Sequence, residues 1–345
     1  MAGMLDGITV LDLSTVGPAA RASRWLADYG AHVVKVGAPA GLQIEPPFYA
    51  YSAHRGMERA GIDLKSSEGM EQFLSLVDSA DVLIESFRPG VVDRLGIGYD
   101  SVKGRNPRLV YCSTSGYGQD GPRAQWTGHD LNYLGVGGFL DCSGRGPDMR
   151  PPIPGATVAD SAGGGMHAAM AILAALVRRA STGEGAYLDV SVADGVLALM
   201  ALAVDEYLAA GVTPGPRHGM LTGRYACYDV YGCADGKWLT VAAIEPRFWA
   251  NLCRVLGLER WIEHQTDDEL QDEIRGELLA VFRTRARDEW IAELGPADTC
   301  VAPVLSVPEV VADEQYVARE AFVEAEDPDH GRFRQVGYLL AGTSR

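Results

Sequence analysis

Two short polar blocks in this sequence combine residue types that can move protons. The first, Gly128 to Tyr133, has the sequence Gly-His-Asp-Leu-Asn-Tyr and puts an imidazole beside a glycine and a short polar run. The second, Thr157 to Gly165, puts the Asp160 carboxyl group just before a glycine-rich entry into a long apolar segment. An imidazole and a carboxyl group that meet in one pocket can remove and return a proton at a weakly acidic carbon. His129 and Asp160 are therefore the first candidates for catalysis.

The composition is that of an ordinary folded protein and narrows the range of functions. The 345 residues are 47% hydrophobic and 22% charged, and the length allows two domains. The net charge of −16 disfavours nucleic-acid binding, which requires clustered Lys and Arg to neutralise phosphates. No apolar run approaches the roughly 18 residues of a membrane span, and residues 1–14 lack the basic start of a signal peptide. We expect a cytoplasmic protein that binds neither nucleic acid nor membranes.

The cysteine pattern argues against a metal site. The six cysteines include no Cys-x-x-Cys pair and no Cys/His spacing typical of metal ligands. Most of them stand among apolar neighbours. This predicts buried free thiols in a reducing compartment and no bound metal.

The elements that must position His129 and Asp160 alternate between strand and helix. Buried strands are predicted at 8–13, 32–36, 81–85, 108–112 and 188–192, with helices at 19–29, 166–179 and 195–210. Such βαβ units build right-handed parallel sheets, so the fold class is α/β with an open parallel sheet. The first strand–helix turn, Ser14 to Pro18, lacks Gly-x-Gly-x-x-Gly, which disfavours a nicotinamide dehydrogenase.

The second half of the chain predicts a smaller α+β domain. A Gly- and Pro-containing link at 211–219 precedes a predicted hairpin of 225–231 and 237–243 with an Ala-Asp-Gly turn. Helices are predicted at 247–256, 267–283 and 286–294. A return segment begins at 301, and the acidic tail is expected to be rich in loops.

Several blocks, in order along nearly the whole chain, resemble the family III CoA-transferase superfamily, most closely its α-methylacyl-CoA racemase branch. Besides the two polar blocks they are Leu5–Leu13, Ile62–Lys65, Asp81–Gly90, Arg94–Gly96, Gly116–Pro122, Asp235–Lys237, Ala243–Pro246 and Cys300–Val304. The resemblance implies a large Rossmann-like CoA-binding domain at 1–187, a linker helix and loop at 188–222, a small α+β domain at 223–300, and a return segment at 301–345 that joins the large domain. It also implies an interlocked homodimer with each site at the interface.

The branch of the superfamily is indicated by fewer residues. Transferases that resemble this chain use the aspartate at the position of Asp160 to attack an acyl-CoA, and they commonly lack a histidine at the position of His129. The Gly-His-Asp-x-Asn-Tyr block and Ile244 to Pro246 resemble racemases. We therefore predict an acyl-CoA racemase or epimerase, with a CoA-transferase acting through Asp160 as the alternative. A third alternative is an inactive acyl-CoA-binding homologue.

By the resemblance, His129 and Asp160 flank the carbon α to the thioester and exchange one proton in each turnover. Glu245 would hydrogen-bond the far nitrogen of His129 and make the imidazole more basic. Asp160 must be protonated when it donates, so partial burial should raise its pKa. A backbone N–H near Asp130 would stabilise the enolate oxygen. The remaining substrate-binding candidates in this block are Gly128, Leu131, Asn132 and Tyr133.

The coenzyme A phosphates call for cations and helix N-termini. Position in the family implies Lys65, Ser86, Phe87, Arg88 and Arg94, with Lys35 and Arg55 as weaker candidates. Coenzyme A enters as part of the acyl-CoA substrate, and no other cofactor is expected.

Two departures from the family pattern bear on the substrate. Ala38 stands where related racemases carry an arginine near the adenine. Arg224 ends a Met-Leu-Thr-Gly-Arg loop where the family often has Met-Leu-Asp-Gly-Gly. If that loop lines the acyl pocket, Arg224 would pair with a polar or carboxylated acyl group rather than the usual branched-chain or sterol lipid. Both departures also make the inactive alternative worth testing.

Each catalytic candidate also has a purely structural interpretation. His129 is in a sequence typical of a loop or helix cap, and Asp160 suits the N-cap of a helix that starts near Gly163. Glu245, which precedes Pro246, suits an exposed helix entry.

Overall fold

The protein contains two compact units that are interleaved along the sequence. A computed structural model describes residues 3–39, 54–146, 148–327 and 331–343. The first unit comprises Met1–Phe139, Ile153–Leu202 and Glu314–Arg345, and the second comprises Leu140–Pro152 and Ala203–Asp313. These boundaries differ from the predicted ranges. The strand predicted at 188–192, inside the supposed linker, belongs to the main sheet of the first unit.

A six-stranded parallel sheet forms the centre of the first unit. Its strands, in chain order, are β1 Thr9–Asp12, β2 His32–Gly37, β3 Glu58–Gly61, β4 Val82–Glu85, β5 Val110–Ser115 and β6 Ala186–Ser191. Their spatial order is β3-β2-β1-β4-β5-β6, the order of the dinucleotide-binding folds. The predicted α/β class with an open parallel sheet is thus confirmed. Strand β3 was not predicted, because Glu58 and Arg59 give this edge strand a polar sequence.

Helices cover both faces of this sheet. The helices of the first half, in chain order, are α1 Pro18–Asp28, α2 Ser67–Ser79, α3 Val91–Leu95, α4 Tyr99–Val102, α5 Asp130–Val136, α6 Phe139–Cys142, α7 His167–Thr182, α8 Val192–Leu199 and α9 Ala201–Ala210. Most of α6 and α9 belongs to the second unit. Val10 of β1 points into one core with Leu26 of α1 and Ile172 of α7. Its neighbour Leu11 points into the opposite core with Phe73 of α2. This alternation on a sheet buried on both faces explains the nearly continuous apolar strands.

A π-helix, Ala159–Met166, runs directly into α7 and carries the second polar block. Together they span Ala159–Thr182, a 24-residue helix that is long and apolar enough to cross a membrane, so the expectation that no apolar segment reaches this length is wrong. A single such helix is weak evidence for a span, because core helices have the same composition. Ala168, Ile172 and Ala175 of this helix lie in the core beside the parallel sheet.

The second unit contains a three-stranded antiparallel sheet with helices around it. Its strands are β7 Tyr228–Gly232, β8 Trp238–Ala242 and β9 Val301–Pro303 in the order β7-β8-β9. Its helices are α10 Pro246–Leu256, α11 Gln271–Phe282, α12 Arg287–Leu294 and α13 Val307–Ala312. Its core includes Trp249, Phe282 and Trp290. The predicted return segment therefore starts with a strand of the small sheet, paired with β8.

The chain end returns to the first unit through α14, Glu314–Ala318. An antiparallel hairpin of β10, Phe322–Asp327, and β11, Gly331–Val336, follows where the sequence predicts loops. Both strands carry many charged residues, which hide the alternation that would indicate a strand. Four of the six cysteines are buried, whereas Cys142 is half-buried and Cys300 is exposed.

Candidate active site

His129 and Asp160 line the same cleft in the first unit. The cleft has a volume of about 320 Å³ and lies at the carboxyl ends of the parallel strands. The residues that line it are Leu13, Thr15, Val16, Gly17, Pro18, Ser86, Phe87, Ser115, Gly116, Gly128, His129, Tyr133, Asp160 and Val192. The strand order reverses between β1 and β4, and ligands of open α/β sheets bind at such a switch point. The topology thus marks this cleft as a ligand site.

The first polar block forms the start of α5, with His129 as its N-cap. The Asn132 Oδ1 atom accepts a hydrogen bond from the His129 backbone N–H at 3.0 Å, which fixes the entry into the helix. The Tyr133 hydroxyl donates to the Gly128 carbonyl at 2.6 Å. A Cβ atom at Gly128 would lie 2.8 Å from the Tyr133 ring, so only glycine fits there. His129 is therefore a helix cap and also faces the cleft.

The second polar block reaches the first through a backbone hydrogen bond. The Asp160 N–H donates to Asp130 Oδ1 at 2.8 Å. The N-cap of the π-helix is Val158 and Asp160 is the second helical residue, so the N-cap interpretation of Asp160 is wrong. Asp130 satisfies the Asp160 N–H from outside the helix, which leaves the Asp160 side chain available to the cleft. π-Helical segments are rare and frequently occur at functional sites.

Burial and nearby charges act on the Asp160 carboxyl group in opposite directions. Burial raises its pKa above the usual value, and Asp130 adds to this increase. Arg21 opposes it most strongly, and His129 opposes it less. The Arg21 Nη1 atom lies 3.6 Å from Asp160 Oδ2. The raised pKa agrees with the direction expected for a group that must carry a proton.

Arg21, which pairs with Asp160, is a residue that the sequence alone does not reveal. It lies on α1, and its Nη2 atom donates to Thr157 Oγ1 at 2.7 Å. In the sequence it is one of two arginines, with Arg24, in the predicted helix after Pro18, and nothing marks it as a site residue.

A second cleft, of about 460 Å³, adjoins the cleft of His129 and Asp160 and shares Leu13, Thr15 and Phe87 with it. Lys35, Arg59 and Lys65 contribute cations to its lining. Ala38 lines it too, so the departure from the family pattern falls inside this groove.

A third cleft, of about 680 Å³, brings Lys65 and Arg94 together. It adjoins the N-terminus of α2, where the Ser66 hydroxyl accepts from the Gly69 N–H at 3.0 Å. A cleft that combines these two cations with the start of a 13-residue helix suits an anionic group. Arg88 is exposed in the loop after β4, beside Ser86 and Phe87, and Leu131 is exposed in the first turn of α5.

The two weaker cation candidates already have carboxylate partners. The Lys35 ammonium lies 3.2 Å from Asp12 Oδ2 and also donates to the Ser14 carbonyl. Arg55 binds Asp28 at 2.8 Å and donates to the Gly337 carbonyl at 2.9 Å, which attaches the chain end to α1. The ion pairs with Asp12 and Asp28 therefore balance the charges of Lys35 and Arg55.

Glu245 and Arg224 belong to the second unit. Glu245 is the exposed N-cap of α10, as its structural interpretation expected. Arg224 forms a two-point ion pair with Asp268, with N–O distances of 2.8 and 2.7 Å. A substrate carboxylate would have to displace Asp268 to reach this guanidinium group.

Comparison with known proteins identifies the family. The chain matches the sequence model of CoA-transferase family III over residues 5–344. It belongs to this family. A solved family structure, a CAIB/BAIF family protein from Brucella suis, has a TM-score of 0.80 at 31% identity, covering 94% of this chain and 89% of that one.

Relatives within the family carry two kinds of name. Human alpha-methylacyl-CoA racemase is 34% identical over 94% of this chain and 84% of the relative. Acetyl-CoA:oxalate CoA-transferase from Acetobacter aceti is 31% identical over 94% of this chain and 86% of the relative. The chain is thus an enzyme-family member related to both racemases and transferases.

Proposed function

We propose that this family member is an acyl-CoA racemase or epimerase that inverts the carbon α to a thioester by 1,1-proton transfer. The observation that carries the proposal is the presence of His129 and Asp160 in one cleft at the switch point of the sheet. The resemblance of the His129 block to racemases supports it, as does the identity to human alpha-methylacyl-CoA racemase.

The proposed reaction uses the acidity of the α-hydrogen in a thioester, whose enolate delocalises charge onto the carbonyl oxygen. One group removes the α-proton while the other returns a proton to the opposite face. The raised pKa of Asp160 supports this role, because it lets the carboxyl group hold a proton at a less acidic pH. As the first residue of α5, Asp130 has a backbone N–H without an intrahelical acceptor, which suits the enolate oxygen. Glu245 remains the proposed partner of the His129 imidazole.

The acyl-CoA would occupy the adjoining clefts. The shared residues Leu13, Thr15 and Phe87 allow one extended ligand to pass from the catalytic cleft into the cation-lined groove. Lys65 and Arg94 are proposed to bind phosphate groups, with Ser86 and Arg88 beside the path. Coenzyme A arrives with the substrate, and the proposed chemistry needs no other cofactor.

The test is deuterium exchange at the α-carbon of a panel of 2-methylacyl-CoA thioesters in deuterated water without an acceptor acid. Exchange with inversion is expected, and His129→Ala and Asp160→Ala should each reduce it by roughly 10²- to 10⁴-fold, the usual contribution of a general acid or base. Binding without exchange or transfer would contradict the proposal and favour an inactive acyl-CoA-binding homologue.

The second candidate is a CoA-transferase with Asp160 as the nucleophile. The ion pair with Arg21 favours it, because a nucleophilic carboxylate must be ionised. The transferases among the relatives, such as that of Acetobacter aceti, favour it as well. Transfer of CoA to an added carboxylic acid, with a trapped Asp160 adduct, would establish this candidate in place of the racemase.

A further inference from the structure

Arg21 pairs with Asp160, which lines the cleft, from a helix that supplies neither His129 nor Asp160. Its guanidinium group spans the start of the π-helix, with Nη2 bound to the Thr157 hydroxyl at 2.7 Å and Nη1 3.6 Å from Asp160 Oδ2. The Nη1 atom is buried and makes no hydrogen bond within the described part of the chain. The Asp160 carboxylate is the ionic partner that the structure places beside this nitrogen.

Packing holds the arginine in this position. A Cβ atom at Gly165 would lie 3.0 Å from the Arg21 Cβ and equally close to the Trp25 ring. Because Gly165 has no side chain, α1 can pack against the backbone of the π-helix. The Cβ atom of Arg21 therefore lies directly against the π-helix. The Arg21 and Asp160 side chains are only 23% and 18% exposed, so water screens their attraction weakly.

We propose that Arg21 is a positioning residue that orients the Asp160 carboxylate and sets the proton affinity of the catalytic pair. The inference rests on the proposed racemase function. The groups that face Asp160 are Arg21 from α1 and His129, Asp130 and Tyr133 from the start of α5. Among these, Arg21 and His129 are the cations that can favour the ionised carboxyl group, and only Arg21 is permanently charged.

A racemase of this kind is active when the His129 and Asp160 pair carries one proton in total. The acidic limb of the rate profile reports the gain of a second proton by the pair, and the alkaline limb reports the loss of its last proton. An arginine beside an aspartate typically lowers the carboxyl pKa by 1–3 units. Arg21 therefore keeps the acidic limb at low pH. Both directions of racemisation use the same singly protonated pair. The acidic limb should therefore lie at the same pH for either enantiomer as substrate.

The experiment replaces Arg21 with Met and measures the pH profile of kcat/KM for deuterium exchange. The acidic limb should move up by about 1 unit or more, so that exchange at a pH below the limb falls about tenfold or more. The alkaline limb should stay close to its original position. Arg21→Lys, which keeps the charge, should restore much of the acidic limb. Thr157→Val, which keeps the guanidinium but removes its anchor, should give a smaller shift in the same direction.

Arg24→Met is the matched control. Arg24 lies one turn further along α1 and pairs with Asp28 at 3.1 Å, so its loss tests for general damage to this helix. It should leave the acidic limb in place. An unmoved limb in Arg21→Met, with exchange intact, would overturn the inference.

A second measurement needs no turnover and separates this inference from the proposed function. Infrared difference spectroscopy follows the C=O stretch of the protonated Asp160 carboxyl group, assigned by its loss in Asp160→Asn. In Arg21→Met this band should disappear at a higher pH than in the wild-type protein. The difference should equal the movement of the acidic limb. If the band moves but no substrate exchanges, the racemase proposal fails while the role of Arg21 stands. If the band does not move, the role of Arg21 is overturned whatever the activity.

Discussion

Glu85 ends strand β4, immediately before Ser86 and Phe87, which form one wall of the cleft that holds His129 and Asp160. Its side chain is 1% exposed. One carboxylate oxygen accepts the Phe87 N–H at 2.8 Å, and the other accepts the Ser113 hydroxyl. Burial raises the pKa of Glu85 to about 7, although these two hydrogen bonds favour the ionised form. The group thus fixes the loop that forms the wall and does so at a cost in stability near neutral pH.

The pH dependence of stability should reveal this buried carboxyl group. Between its ordinary value of 4.5 and about 7, native Glu85 keeps a proton that the unfolded chain has lost. The free energy of unfolding should therefore fall as pH rises through this window, by about 3 kcal/mol from this group alone. In Glu85→Gln that part of the decline should be missing. Urea unfolding at several pH values measures the difference.

Glu184→Gln serves as the control for Glu85→Gln. Glu184 is 70% exposed and pairs with Arg178 at the surface, so its replacement should leave the slope of stability against pH unchanged. The curves of unfolding free energy against pH could instead run parallel for wild-type protein and Glu85→Gln across this window. Native Glu85 would then lose its proton at its ordinary pKa, and the prediction would be wrong.

The sequence reveals candidate catalytic residues only where their neighbours form a pattern. His129 and Asp160 stand in two blocks whose residue types suggest proton transfer, and the structure brings both to one cleft. Arg21 and Glu85 carry no such pattern. Arg21 meets Asp160 only because α1 crosses the π-helix, and Glu85 looks like the polar end of an ordinary strand. Their roles depend on burial and on contacts between distant segments.

At the scale of elements, glycines allow the π-helix to pack closely against α1 and α8. A Cβ atom at Gly195 of α8 would lie 1.8 Å from the Gly163 carbonyl oxygen. A Cβ atom at Gly164 would lie 2.4 Å from the Pro18 side chain of α1. The π-helix is therefore held between α1 and α8 at distances that only glycine allows. Asp160 lies one turn before these contacts.

Gly195→Ala should damage both stability and catalysis. The new methyl group would force α8 away from the π-helix, and overpacking of this kind typically costs about 1–3 kcal/mol. Because Asp160 shares the π-helix, its carboxyl group should shift as well. A displacement near 1 Å can cost about a hundredfold in rate. Thermal unfolding and α-proton exchange measure the two effects.

Gly276→Ala is a matched glycine replacement in a helix without such a contact. Gly276 lies on α11, where an added Cβ would meet no atom within 4 Å. It should stabilise the protein by up to about 1 kcal/mol and leave exchange unchanged. If Gly195→Ala behaved like Gly276→Ala, the close packing of α8 against the π-helix would not determine the position of Asp160.

The regular elements could be predicted because their residues obey simple periodicities. Strands β1, β2, β4 and the first half of β5 are mainly apolar, and α1 begins at Pro18. The π-helix could not be predicted, because its eight residues make too few turns to distinguish its period from that of an α-helix. The segment predicted as one helix at 195–210 forms α8 and α9, which Met200 separates with near-bridge dihedrals of −91° and 5°.

At the scale of the whole molecule, α9 is exposed although most of its residues are apolar. None of its residues is buried, and Leu202 and Leu208 are 85% and 74% exposed. On α7, Met170 and Val177 are also largely exposed. Monomeric proteins seldom present apolar helices to water, and such surfaces mark interaction sites. These side chains support the proposal that two copies of the chain cover one another in an interlocked homodimer.

The double substitution Leu202→Glu with Leu208→Glu tests this assembly. Wild-type protein should sediment with about twice the 36.9 kDa of one chain. Because burying two carboxylates in an apolar interface is strongly unfavourable, the variant should sediment as single chains or fail to assemble. Its α-proton exchange should fall with the loss of the dimer if each site needs the partner subunit.

Val311→Glu with Val317→Glu adds the same charge to exposed apolar positions on α13 and α14 and should leave the dimer intact. This comparison separates the effect of α9 from a general effect of two new carboxylates. A Leu202/Leu208 variant that stays dimeric would mean that α9 is outside the interface. A wild-type chain that is monomeric and fully active would show that the cleft between β1 and β4 is complete within one copy.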